Sequence, residues 1–233
     1  MNTDTRPESA ILIVAKAPVP GLAKTRLAPV FGDDGAAELA AAALLDTLHA
    51  ARGVTGTRVL VAWHGEIGAA RRHTEIATEL RGCEVFTQSG TSFADRLVHA
   101  HHTAATMGVR RVLQIGMDTP QLDSDTLSEA MCMVNSTPEK TCLLGPAADG
   151  GWWGLGLPDL SSARCLRGVP MSRPDTAERT IEALCGVGCR VELLACAHDV
   201  DLPSDVHVVA QTCSPTSHFA RSAAATRTPA RCR

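Results

Sequence analysis

The stretch "ILIVAKAPVPGLAKTRLAP" (Ile11–Pro29) decides the fold. Its first five residues, Ile11 to Ala15, form a short unbroken apolar run, the pattern of a strand buried on both faces. Directly behind it comes a loop holding Gly21, several prolines and the cations Lys16, Lys24 and Arg26. Neighbouring cations repel one another, so their collection in one loop points to a negative ligand. Glycine lets backbone N–H groups approach an anion, and lysine and arginine supply the charge. The spacing is neither GxxxxGK[ST] nor GxGxxG, so the loop belongs to neither of those nucleotide motifs. Its alternative reading is a solvated basic loop.

From that strand outward, strand-like and helix-like patterns alternate. Strands are expected over Arg58–Trp63, Cys83–Gln88, Arg110–Asp118, 140–147 and 189–196, helices over 36–51, 69–80, 124–134 and 175–186, and a loop-to-helix passage over 89–107. Asp33 and Asp34 lie near the N-terminus of the first helix, where the helix dipole favours acid. Such alternation implies an α/β three-layer sandwich, a mainly parallel twisted sheet covered on both faces. The expected organisation is a disordered start over 1–9, one domain over 10–205, and a partly helical surface segment with a frayed tail over 206–233.

Open parallel sheets bind ligands outside the carboxyl ends of their strands. The chemistry-bearing residues of this chain stand at those places. After the third strand comes "QSGTSFADR": Gln88 is able to hydrogen-bond a base edge and Gly90 permits close backbone approach, while Thr91 or Ser92 also reads as a helix N-cap. Arg96 faces either the pocket or solvent. After the fourth strand comes "GMDTP", where Asp118 is a natural Mg²⁺ ligand beside phosphates; Asp123 or Ser124 is better placed to cap the next helix. "GPAADGGWWGLGL" (Gly145–Leu157) sets Asp149 among glycines beside Trp152 and Trp153, which are either walls for an organic acceptor or, for at least one of them, core. In "HDVDLPSD", Asp199, Asp201 and Asp205 add negative charge to the edge that bears Asp118, and Asp205 also suits the start of a helix. Two carboxylates from different strand ends suffice to hold one Mg²⁺ on phosphate oxygens.

Bulk composition narrows the class. The chain has 233 residues, 45% hydrophobic and 20% charged, with a formal net charge of −3. These are values of a soluble globular domain with no global basic field for nucleic acid. Aromatic residues make up only 3%, with no tyrosine, which argues against a base-stacking nucleic-acid surface. Nine cysteines occur without any CxxC pair, and Cys185, Cys189 and Cys196 read as small buried hydrophobes. Their odd number, with no signal peptide and no apolar run near the roughly 20 residues of a membrane span, gives the expectation of a cytoplasmic protein.

Taken together, "LIVAKAPVPGLAKTRLAP", "GMDTP", "GPAADGGWWGLGL" and "DVDLPSD" resemble a bacterial family of the nucleotide-diphospho-sugar transferase (GT-A) superfamily, usually labelled glycosyltransferase-like. That family is related to molybdenum-cofactor nucleotidyltransferases, and "AKTRLAPVF" is similar to the opening of phospholactate or phosphoenolpyruvate guanylyltransferases. The resemblance implies the GT-A fold, a nucleotide substrate and Mg²⁺ or Mn²⁺. It implies that Lys24 and Arg26 bind the phosphates, that Asp118 and Asp201 hold the cation, and that Ala15, Lys16, Gly21, Gln88, Gly90 and Thr91 surround the nucleotide. Lys16 is alternatively structural. Trp152, Trp153 and Ser172 fall on the acceptor side, where the chain departs from the family: tyrosine usually replaces the tryptophans, and a tryptophan stands in place of Met171. The preferred expectation is nucleotidyl transfer from a nucleoside triphosphate to a small phosphorylated or carboxylate acceptor, with Lys24, Arg26 and Asp118 catalytic. The alternatives are glycosyl transfer from a nucleotide sugar with Asp149 as base, and a non-catalytic nucleotide-binding module.

Overall fold

The computed structural model describes residues 8–226, within which seven strands form one sheet. They are β1 Ser9–Lys16, β2 Arg58–His64, β3 Glu84–Thr87, β4 Arg111–Ile115, β5 Thr141–Pro146, β6 Trp152–Leu157 and β7 Arg190–Leu193. Their spatial order is β3-β2-β1-β4-β6-β5-β7. All neighbours are parallel except that β6 runs antiparallel to both β4 and β5. The order runs outward in both directions from β1, so the crevice between the ends of β1 and β4 is the topological switch point where a ligand would lie.

Alternation along β1 divides the core. Ile11, Ile13 and Ala15 face α1 (Ala28–Arg52), α2 (His73–Leu80) and α4 (Ser124–Ser136). Ala10, Leu12 and Val14 face the opposite side, against α3 (Phe93–Thr106), the 3₁₀ segment Leu160–Gly168 and α5 (Thr176–Gly186). This is the expected three-layer sandwich. Helix starts follow their caps: Ser92 and Asp95 form a reciprocal capping box on α3, and Asp123 Oδ1 accepts from the Thr126 N–H at 2.8 Å on α4. The helix expected over 69–80 is shorter, because Arg72 adopts a left-handed conformation (φ 54°) and α2 starts only at His73. In α1, Gly32 (φ 69°, ψ 168°) breaks the helical path, so Asp33 and Asp34 do open its long second part.

Three expectations need correction. Trp152–Leu157, which lies outside every strand expected from the sequence, is a strand; Gly154 and Gly156 alternate within it, and a Cβ on Gly156 would stand 2.6 Å from Val134 Cγ2. The segment after 205 is not superficial. Helices α6 (Pro203–Thr212) and α7 (His218–Thr226) pack Val206, Val209 and the fully buried Phe219 against Leu39, Ala42 and Ala43 on the outer side of α1. Of the three cysteines read as buried, only Cys189 is; Cys185 and Cys196 are exposed. The disorder expected over 1–9 falls mostly on residues outside the described ones, as does the end of the tail at 227–233; Ser9 is already in β1. Among the described residues, no helix is long and apolar enough to cross a membrane.

Candidate functional site

Backbone hydrogen bonds bring three strand-end segments into contact. Val200 N–H donates to the Asp118 carbonyl at 2.9 Å, tying the segment after β7 to that after β4. Ala148 N–H donates to Ala197 O, and Ala197 N–H to Pro146 O, so the β5–β6 turn joins the same edge. Within that turn Asp149 accepts from Gly151 N–H at 2.7 Å. Gly150 (φ +88°) lets it close under the loop before α5: a Cβ there would lie 1.9 Å from Pro174 O. Asp205 accepts from the backbone N–H groups of Asp201 and Leu202 and from His198 Nε2, so it caps α6 as expected and also pins the turn bearing Asp201.

The result is a cluster of carboxylates. One oxygen each from Asp149, Asp199 and Asp201 lies within 4.8 Å of the others. Burial, then the neighbouring Asp149 and Asp201 charges, push the Asp199 carboxyl up to about 6, against the pull of its own backbone and Lys24. Sequence reasoning saw Asp199 as general negative charge and Asp149 as a base; what it missed is that the β5–β6 turn delivers Asp149 to the Asp199 and Asp201 that follow β7. Hard carboxylate oxygens at this spacing fit Mg²⁺ or Mn²⁺.

Opposite the acids stands the first loop. Lys24 Nζ lies 2.9 Å from Asp118 Oδ2 and 2.9 Å from Asp201 Oδ1, while Arg26 Nη1 lies 2.8 Å from Asp201 Oδ2. The two aspartates paired on the sequence therefore do meet, on one ammonium. Burial pulls the Lys24 pKa down, but Asp118 and Asp201 outweigh it and hold the group above its usual value. Lys16 donates to Leu22 O at 2.7 Å. Gly21 (φ +73°) makes the turn but lines neither cavity described here.

Two cavities meet at these residues. The larger, about 730 Å³, is lined among others by Ala15, Lys16, Gln88, Asp149, Trp152 and Asp199. The smaller, about 420 Å³, is lined by Lys16, Lys24, Arg26, Asp118 and Asp201. Gln88 donates to Ala15 O and Ala62 O, both at 2.8 Å, which locks the tips of β1 and β2 and leaves its own oxygen for the cavity. Arg96 does face the cavity, with its guanidinium over Phe93. Gly90 and Thr91 do not line it. A Cβ on Gly90 would meet Asp95 at 2.7 Å, and Thr91 Oγ1 donates to Asp95 Oδ2, so both shape the start of α3. The tryptophans divide: Trp152 borders the cavity, whereas Trp153 is core and donates to Ala195 O.

This fold recurs in known structures. A protein from Desulfovibrio desulfuricans G20, provisionally described as a nucleotide-diphospho-sugar transferase, is similar over 94% of this chain and 96% of its own, at 26% identity and a TM-score of 0.80. A cytidylyltransferase from Leptospira borgpetersenii serovar Hardjo-bovis shares the fold at 18% identity and a TM-score of 0.52, over 81% of this chain and 76% of that one. Rv0371C from Mycobacterium tuberculosis H37Rv, solved in complex with manganese, does so at 16% identity and a TM-score of 0.50, over 88% and 98%. No curated protein matches the sequence. The mainly parallel seven-stranded sandwich thus has the fold of the nucleotide-diphospho-sugar transferases. Within it, residues 47–173 match one family throughout, and the chain belongs to that family, "Uncharacterized protein conserved in bacteria (DUF2064)".

Proposed function

We propose that the chain is a divalent-cation-dependent transferase that moves a nucleotidyl group from a nucleoside triphosphate to a small phosphorylated or carboxylate acceptor. The observation that carries this reading is the meeting, at Asp201, of the cationic first loop with a three-carboxylate cluster at the junction of two cavities. Lys16, Lys24 and Arg26 supply positive charge for a polyphosphate, and Gln88 offers its free oxygen to the base. Asp149, Asp199 and Asp201 would hold a Mg²⁺ or Mn²⁺, with Asp118 beside them. A cation bound there supplies charge neutralisation on phosphate oxygens. Trp152, Met171 and Ser172 border the space left for an acceptor. The acceptor oxygen attacks the α-phosphorus in line, and Lys24 and Arg26 stabilise the departing pyrophosphate. Such chemistry rests on positioning and fixed charge, so it requires no histidine or cysteine nucleophile.

Glycosyl transfer from a nucleotide sugar is the second reading, favoured by the near full-length likeness to the Desulfovibrio protein. In that case the same cations would hold a diphosphate, and Asp149 would act as base towards an acceptor hydroxyl. Product analysis separates the two. The protein is incubated with Mg²⁺, each nucleoside triphosphate or nucleotide sugar, and pools of phosphorylated acids, sugars and alcohols. Acceptor-dependent release of pyrophosphate is expected. Release of a nucleoside diphosphate from a sugar donor, with no triphosphate consumed, would replace the first reading by the second.

A further inference from the structure

Asp201 is the residue shared by the loop and the carboxylate cluster, and both of its oxygens are already engaged by cations. Oδ1 accepts from Lys24 and Oδ2 from Arg26, at 2.9 and 2.8 Å. Lys24 also takes up Asp118 Oδ2 at 2.9 Å. Its side chain is only 12% exposed, whereas that of Arg26 is 65% exposed, so Lys24 is the buried cation of the pair. A divalent ion at Asp201 would face the full charge of this ammonium at close range, where little water screens it. The backbone under Lys24 is unusual as well: φ is +47°, in the left-handed region that non-glycine residues rarely occupy and that carries strain. The loop spends conformational energy to bring this lysine onto the two carboxylates, on the wall that lines the smaller cavity.

We propose that Lys24 is a resident counter-ion, drawn off Asp118 and Asp201 by an incoming polyphosphate, so that cation binding is conditional on the phosphate ligand. In the free protein the lysine keeps the carboxylates neutralised and excludes the divalent ion. A polyphosphate in the smaller cavity offers the ammonium a stronger partner, and the carboxylates it leaves become ligands. Phosphate and cation then favour one another's binding, by the same factor in each direction. The proposal rests on the cation-dependent reading above.

The test measures protein-bound Mn²⁺ by electron paramagnetic resonance, with and without inorganic pyrophosphate, in wild type, Lys24→Met and Lys24→Gln. Glutamine keeps hydrogen-bond donors for both carboxylates without the charge, and so covers the case in which the methionine variant does not fold. Wild type is expected to bind Mn²⁺ weakly alone and at least tenfold more tightly with pyrophosphate. Each variant is expected to bind Mn²⁺ alone at least tenfold more tightly than wild type, and to gain little from pyrophosphate. Variants that bind Mn²⁺ alone no more tightly than wild type would overturn the counter-ion role while leaving the cation site standing. Absence of bound Mn²⁺ from every protein, with pyrophosphate present, would overturn the cation site and this proposal together.

Discussion

Asp201 and His101 illustrate two opposite fates of a polar group in this fold. Asp201 is partly exposed and paired with two cations, Lys24 and Arg26. Replacing it with asparagine leaves Lys24 paired with Asp118 and Arg26 largely in solvent. The accessible Arg26–Asp201 pair contributes about 1 kcal/mol or less to stability, and the buried Lys24 still keeps a carboxylate partner in Asp118. Asp201→Asn is therefore expected to lose at least tenfold in nucleotide-supported Mn²⁺ affinity, read by calorimetry, while the melting temperature falls by a few degrees at most. A collapse in stability with unchanged affinity would make Asp201 structural. His101 is wholly buried, and its Nε2 donates to Gln114 Oε1 at 2.7 Å. Burial pushes its pKa down to about 4, against the opposing effect of Gln114. Between pH 4 and the ordinary value near 6.5 the unfolded chain binds the extra proton, so stability rises with pH across that window. The contribution is complete above the upper value and lost towards the lower, roughly 3 kcal/mol in all. Urea unfolding of His101→Gln at pH 7 and pH 5 is expected to show a shallower pH dependence than wild type, even if the variant is less stable throughout. An unchanged slope would mean that other groups govern the acid limb.

At the scale of elements, the β5–β6 hairpin separates what was legible in the sequence from what was not. Lys24, Asp118 and Asp201 could be found because each follows a segment already read as a strand, and a parallel sheet gathers such positions at one edge. The partnership of Asp149 with Asp199 could not, because it depends on a tight turn and on hydrogen bonds from Ala148 and Ala197 that leave no periodic trace. β6 itself was hidden by Gly154 and Gly156, since glycine is depleted in strands and erases the alternation that marks them. Both features give opposite predictions for two glycines. In Gly156→Ala the new Cβ meets Val134 Cγ2 at 2.6 Å and Leu143 Cβ at 3.0 Å, overpacking the core at a cost of about 1–3 kcal/mol. Its Mn²⁺ affinity should match wild type, because Asp149 does not move. In Gly150→Ala the Cβ meets Pro174 O, and a residue at φ +88° is strained as well, so the turn must shift and Asp149 with it. That variant is expected to lose both melting temperature and cation affinity. Equal affinities in the two variants would remove Asp149 from the cation site.

For the molecule as a whole, the decisive packing lies outside the three layers. α1 is buried on two sides, by the sheet through Ala40, Ala41, Leu44 and Leu48 and by α6–α7 through Leu39, Ala42 and Ala43. Its run of alanines reads on sequence as a good helix former with a weak apolar face, and a helix that is apolar all round is one enclosed by other elements. The partner that encloses it was harder to see, because α7 offers one large apolar side chain, Phe219, among small and polar residues. Asp46 on α1 fixes that helix in place by accepting from the backbone N–H groups of His218 and Phe219 at 2.9 and 2.8 Å. α6 follows directly from the segment carrying Asp199 and Asp201, so the terminal pair of helices also braces the carboxylates of the site. Phe219→Ala is accordingly expected to destabilise the chain by about 3–5 kcal/mol, the range for emptying a buried aromatic site. Chemical denaturation measures that loss. Removing residues 222–233 should cost far less, since it spares Phe219 and both Asp46 hydrogen bonds, whereas a chain ending at 217 should fail to give soluble folded protein. Equal stability of the two truncations would show that α7 is an accessory to a core complete without it.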